Sequence, residues 1–267
     1  KDLLEGDPQQ VNELKTRLAS VSDKYEDYVS QDKGNGHTRH PGIHASEVSG
    51  CPRRMVYTMR NEPRVEKTAN VWKRRFMVGH AIHDMFQGEF ERLAQSSNRT
   101  VSFEREVRIA PGLQVKASEW DIYSSCDGLF TFRDSGDGPE VARCILEIKT
   151  ESPAGFEKLE KPKAEHIEQA HVYMACLDVP YTWFLYFNKG NQNYTPSTNP
   201  NFFIQFDPAI WERLEKRFEE AHIHVHLKTL PDRQEGVLCE FCPYTESCQP
   251  DYLKRTKGHK PQPPRWK

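Results

Sequence analysis

Apolar residues recur along this chain at two spacings. Where they return every three or four positions the spacing predicts an amphipathic helix. Gln9 to Val29 keeps this rhythm with Val11, Leu14, Leu18, Val21, Tyr25 and Tyr28, a face suited to covering part of a core. Val71 to Gln95 keeps it with Trp72, Phe76, Gly79, His83, Phe86, Phe90 and Leu93. His83 is the polar exception in that stripe. Gly79 costs about 1 kcal/mol against Ala inside a helix, which makes sense where another backbone or a ligand comes close. Lys163 to Leu177 and Pro208 to Lys228 read as further helices. Shorter apolar or alternating runs bounded by turn residues predict strands at Ser102–Ile109, Glu119–Ser125, Cys126–Arg133, Ala142–Thr150, Tyr181–Asn188 and Phe202–Phe206. Asp134 to Pro139, DSGDGP, is a strong turn between two of them. Ser46 or Ser49 can cap a short helix carrying Arg53, Arg54 and Tyr57. The sum is a single α/β domain, a mixed central sheet flanked by helices.

The stretch from Cys126 to Thr150 carries the chemistry. Side chains alternate along a strand. Asp127 should therefore share a face with Leu129 and Thr131, and Glu147 and Lys149 one with Arg143 and Ile145. An acid on one strand then faces an acid and a lysine on the next. That set suits a divalent cation beside a phosphodiester, since Mg²⁺ and Mn²⁺ favour oxygen ligands and Mn²⁺ accepts imidazole. Asp127 and Glu147 are the candidate ligands, with the carbonyl of Ile148 as another. Lys149 stands where it can orient a water or steady developing negative charge. A bare Glu-x-Lys triplet is common and by itself reads as a solvated strand edge. Its position weighs against that: it ends an apolar strand, follows an Asp-Gly strand and precedes a helix bearing Gln169 and Tyr173 four apart.

Composition narrows the classes. The chain has 267 residues, a mean hydropathy of -0.80 and a net charge of -2. No apolar run approaches the ~20 residues of a membrane-spanning helix, and no secretory leader is expected. There is no global basic field, so any nucleic-acid contact rests on local patches. Of seven cysteines, Cys126, Cys144 and Cys176 lie singly among apolar residues and read as core. Cys239, Cys242 and Cys248 cluster, with Cys51 far upstream, which suits a metal or cluster site in a reducing, cytoplasmic setting. His37, His40 and His44 fit no common metal spacing and read as a solvated loop. His222, His224 and His226 fall on different sides of their helix.

Gly79-x-x-x-His83, Asp127, Glu147-x-Lys149 and Gln169-x-x-x-Tyr173, in this order, resemble the PD-(D/E)XK nucleases, and within them the RecB-like branch. The resemblance implies a restriction-endonuclease-like core, His83 as a further metal ligand, and Gln169 and Tyr173 lining the site. One cysteine before the core and Cys-x2-Cys-x5-Cys after it resemble the iron–sulfur members, among them CRISPR-associated and AddB-type nucleases. By that resemblance Cys51, Cys239, Cys242 and Cys248 hold a [4Fe–4S] cluster, with zinc as the alternative. The cluster would close the chain on itself and hold Arg53 and Arg54 over the site. Tyr57, Trp72 and Tyr173 are candidate stacking residues for unpaired bases, Trp72 reading better as core.

The expected organisation is a helical cap over 1–70 with the first cysteine, a nuclease core over 71–230, and a Cys-cluster lobe with a basic, proline-rich tail over 231–267. The expected activity is metal-dependent hydrolysis of DNA at ends or in single strands. Two rivals stand beside it. One is a DNA-binding module without catalysis. The other is a subunit that works with a helicase, recombinase or CRISPR partner in recombination or spacer capture. A small standalone nuclease of this kind would suit a phage.

Overall fold

The structure, a computed structural model, describes residues 8–31, 39–65, 70–196, 199–233, 239 and 242–248. Its helices are α1 (Pro8–Gln31), α2 (Pro52–Met59), α3 (Asn70–Ser96), α4 (Val115–Trp120), α5 (Pro153–Phe156), α6 (Ala164–Leu177), α7 (Pro208–His226) and α8 (Thr245–Cys248). Its strands are β1 (Val101–Ile109), β2 (Ser124–Arg133), β3 (Glu140–Glu151), β4 (Tyr181–Asn188) and β5 (Phe203–Gln205). They form one mixed five-stranded sheet in the order β1-β2-β3-β4-β5. Only the β3–β4 pair is parallel. A parallel pair needs a crossover, and α5 and α6 supply it. This is the α/β architecture expected, a mixed sheet flanked by helices. No helix among the described residues is long and apolar enough to cross a membrane.

The chain divides into two compact units. One contains α1 and α3 as far as Val78, joined by an Arg74–Glu26 ion pair at 2.8 Å. Leu18, Val21 and Tyr25 of α1 are exposed. The other unit holds the sheet.

Two cores sandwich the sheet. On one face α6 and α7 close over Ile145, Phe184 and Tyr186, with Val172, Tyr173, Leu214 and Phe218 from the helices. On the other, Leu146, Ile148, Leu185 and Phe187 meet Ile82, Phe86 and Phe90 of α3 and the rings of Phe103, Phe130 and Trp183. Phe90 is central there, with ring centroids 5.3 Å from Phe130 and 5.7 Å from both Phe103 and Trp183. Within the sheet's own unit the expected α3 stripe engages the sheet through Phe86 and Phe90, while Leu93 is exposed. Nothing among the described residues lies within 4 Å of a Cβ added at Gly79, so no close approach among them explains that glycine. Trp72 has a side chain outside the described set, and His37 lies outside the described residues.

Two strand expectations need correction. Glu119–Ser125 is the end of α4, a left-handed turn at Asp121 and the start of β2. The second concerns alternation. Phe103, Val107 and Ile109 have the same parity in β1, yet Phe103 packs on the α3 side and Val107 and Ile109 on the α6 side. In β2, Phe130 packs on the α3 side and Cys126 on the α6 side. The two paired strands therefore turn over together. Glu106 has a φ of +51° at the crossing, a left-handed conformation that a non-glycine residue keeps only under constraint. Beyond it, Asp127 no longer shares a face with Leu129, which packs on the α6 side, and turns towards α3. Gly128 is required at the same place, since a Cβ would lie 2.3 Å from the Phe103 ring.

Candidate active site

The site lies where β2 and β3 separate. Their paired register runs from Arg133 and Glu140 to Gly128 and Leu146 and then stops. Asp127 fills the gap with its side chain. Its Oδ2 accepts the Ile148 N–H at 2.6 Å, in place of a ladder carbonyl. The N–H and C=O of one strand residue point to the same edge, so the Ile148 carbonyl also faces this gap. The other oxygen, Oδ1, accepts from His83 Nδ1 at 3.1 Å. An ionised Asp127 makes Nδ1 the protonated nitrogen and leaves the lone pair on Nε2. Burial lowers the His83 pKa, but the hydrogen bond and charge of Asp127, with Glu147 beyond, outweigh it, and the shift is upward.

Glu147 is 2 % exposed on the α6 face. Lys149, two positions on, meets its Oε1 at 2.7 Å. Burial first, then the charge of Asp127, pushes the Glu147 carboxyl up to about 7 against the pull of Lys149. Burial would lower Lys149, but Glu147 and Asp127 hold it higher than usual. Lys149 Nζ also donates to Gln169 Oε1 at 3.0 Å, and Gln169 Nε2 donates to the Tyr173 hydroxyl at 2.6 Å. The Gln169–Tyr173 pair expected on one helix face therefore orients the lysine. Tyr173 is buried and no stacking surface.

Among the described residues no group of three or more His, Cys, Asp or Glu side chains is gathered tightly enough to hold a metal ion outright. The donor set nevertheless suits one. Among the described residues the buried Glu147 Oε2 has no hydrogen-bond partner. An orphaned carboxylate oxygen in the interior is costly, and a cation shared with Asp127 would satisfy it. Two carboxylates, a strand carbonyl and an imidazole are hard and borderline donors, the kind Mg²⁺ and Mn²⁺ take.

Sequence reasoning missed a supporting network. Gln87, one turn beyond His83 and 1 % exposed, donates to the Asp127 carbonyl at 2.8 Å and to Glu106 Oε1 at 2.9 Å. It ties α3 to the point where both strands turn over. Gln87 was visible as a second polar residue at helical spacing from His83. The role of Glu106 depends on a backbone angle that no residue pattern announces.

The cysteine readings land in the second unit. Cys51 caps α2 without a side-chain hydrogen bond, in place of the expected serines. Burial raises the Cys242 thiol; Arg54 opposes this while Cys51 and Cys239 add to it. Cys248 lies 3.8 Å from an Arg53 guanidinium nitrogen and beside Tyr57. The fold thus returns the C-terminal cysteines to the start of α2, and all are free thiols. Arg53 Nε donates to the Pro231 carbonyl at 2.6 Å, and Arg54 pairs with the buried Glu47 at 2.7 Å. Tyr57 is buried against Tyr244. These three side chains serve the packing of the cysteine segment, which leaves no open ring on Tyr57 for a base.

No family model matches the chain, and no curated protein matches it. Among solved structures it is similar to SSO0001, with 14% identity and a TM-score of 0.45 over 86% of this chain and 96% of that one. It is also similar to the alkaline exonuclease LHK-Exo from Laribacter hongkongensis. The dAMP complex of that protein aligns with 18% identity and a TM-score of 0.42 over 71% of this chain and 90% of the other.

Proposed function

We propose that the chain is a divalent-metal-dependent deoxyribonuclease of the PD-(D/E)XK type, in its RecB-like branch, acting on DNA ends or single strands. One observation carries the reading: the buried, partnerless Glu147 Oε2 beside Asp127 in the gap between β2 and β3, with Lys149 held at 2.7 Å. A surface ion pair has no reason to bury a carboxylate and leave one oxygen empty-handed. Asp127, Glu147, the Ile148 carbonyl and His83 would hold the cation, which when bound screens the phosphodiester and lowers the pKa of a water. Lys149 supplies a fixed positive charge next to the attacked phosphate, oriented by Gln169. His83 and Gln87 hold Asp127 in place through its carboxylate and its carbonyl.

The same reading assigns Cys51, Cys239, Cys242 and Cys248 to a [4Fe–4S] cluster or a zinc ion. Support comes from the return of the C-terminal cysteines to the start of α2, within charge reach of Cys51, although among the described residues they are not gathered into a metal-holding group. Four cysteines are a soft donor set that suits iron–sulfur or zinc. Iron, zinc and acid-labile sulfide content of protein purified without oxygen decides between them.

The test of the activity uses end-labelled single- and double-stranded DNA with Mg²⁺, Mn²⁺ or EDTA, beside the Glu147→Ala variant. Metal-dependent cleavage absent in the variant supports the reading, and the product ladder separates exonuclease from endonuclease. Folded wild-type protein that cuts in neither metal removes it.

A further inference from the structure

We propose that His166 and Lys163 form a phosphate-binding subsite beside the cleavage centre, in which the His166 Nε2–H donates to a non-bridging oxygen of a backbone phosphate next to the one cleaved. The inference rests on the nuclease reading of Asp127, Glu147 and Lys149 and extends it to substrate placement.

Position comes first. His166, Gln169 and Tyr173 lie three and four apart on α6 and so share a face. Gln169 grips Lys149. Tyr186, the register partner of Lys149 on β4, reaches His166 through its hydroxyl, 2.6 Å from Nδ1. The imidazole therefore stands one helical turn before Gln169, against the register partner of Lys149. Lys163 precedes it, half-exposed, its ammonium paired with Glu151. Glu151 continues the β3 row of Glu147 and Lys149.

The hydrogen bonds then fix the tautomer. The Lys163 backbone N–H donates to the Tyr186 hydroxyl at 3.1 Å. A backbone amide can only donate, so the phenol oxygen is the acceptor there. Tyr186 is fully buried, and its own proton has His166 Nδ1 as its near acceptor. Nδ1 accepts that hydrogen bond, and the ring hydrogen resides on Nε2. Burial, then the charges of Lys149 and Lys163, push the imidazole pKa down to about 3. The ring is thus a neutral donor between two ammonium groups. That combination suits an anionic oxygen and suits a metal poorly, because the nitrogen available to a ligand carries a hydrogen.

The experiment measures binding of single-stranded oligonucleotides in EDTA, where no cleavage occurs, and cleavage kinetics in Mg²⁺. One phosphate at a time is replaced by a neutral methylphosphonate. Wild type should lose about tenfold in affinity at one position adjacent to the scissile phosphate, the scale of one hydrogen bond to a charged group. His166→Ala should bind unmodified DNA about tenfold more weakly and show no added loss at that position, with KM raised and kcat little changed. Tyr186→Phe, which keeps the ring but frees the tautomer, should fall between. His166→Asn serves if the alanine variant does not fold. An affinity of the His166 variants equal to wild type, or an undiminished penalty at every phosphate, overturns the subsite alone. Wild-type protein that neither cuts nor depends on Glu147 overturns the nuclease reading and this inference with it.

Discussion

Leu146 and Ile148 alternate with Glu147 and Lys149 on one strand, yet the two sets face opposite kinds of interior. On the α3 side the sheet meets hydrocarbon and stacked rings. On the α6 side a buried row runs from Tyr173 through Gln169 and Lys149 to Glu147, ending on an oxygen with no partner. The first face is non-directional and adapts to small changes of volume. The second is directional: each member has a defined partner, and losing one strands the next. Along β3 the fold thus sets a purely apolar side against one that mixes an apolar core with this polar row, and His83 and Gln87 reach the same site from α3 through Asp127.

Neighbouring substitutions in β3 test that separation most directly. Glu147→Gln keeps an acceptor for Lys149 but removes the charge, so DNA cleavage should fall by about a thousandfold, the scale of losing a central electrostatic group. Its thermal stability at pH 8 should match or exceed wild type, because the buried carboxylate is ionised there. Leu146→Ala should do the reverse. Denaturant unfolding should show a loss of about 3 kcal/mol, with cleavage per folded molecule retained. A catalytic defect in Leu146→Ala at full stability would break the comparison.

Acid sharpens it further. His166 takes its proton near the ordinary value of about 6.5 in the unfolded chain, but only near 3 in the fold. Between these values the unfolded chain binds more protons, so the contribution of this residue is complete above about pH 6.5 and is lost as pH falls towards 3. At pH 5 wild type should have lost up to about 2 kcal/mol relative to His166→Gln, compared with pH 7.5. Urea titrations of both proteins at the two pH values measure this; a constant difference would mean the imidazole is not held neutral. The smallest effect concerns Gly79. With no described residue from elsewhere within 4 Å of an added Cβ, Gly79→Ala should stabilise the protein by up to about 1 kcal/mol. If DNA binding weakens in the same variant, the space there belongs to the substrate.

Much of this was legible before any coordinates. The apolar rhythms located α3, α6 and α7, and the alternating runs located β1 to β5 within a residue or two, because burial on one side imposes a period. Asp127, Glu147 and Lys149 stood out because charged residues ending apolar strands contradict that period. The positions of His83, Gln169 and Tyr173 beside them followed from the resemblance. What stayed hidden depends on backbone geometry. The turnover at Glu106 and Asp127 leaves parity intact in the sequence while exchanging the faces. Asp121, taken as strand, ends a helix in a left-handed conformation. Tyr57, Arg53 and Arg54 looked available for nucleic acid because nothing local shows that Glu47, Pro231 and Tyr244 claim them.

The Ile148 amide donates to a carboxylate and not to a neighbouring strand. A main-chain proton is thereby wired to the side chain on which the site depends. In a nuclear magnetic resonance spectrum that single N–H becomes a reporter. Its shift should move when a cation competes for Asp127, while the amides of Glu147 and Lys149, directed to the opposite edge, stay comparatively still. A cation titration followed at this one resonance reads occupancy of the site without any substrate being cut.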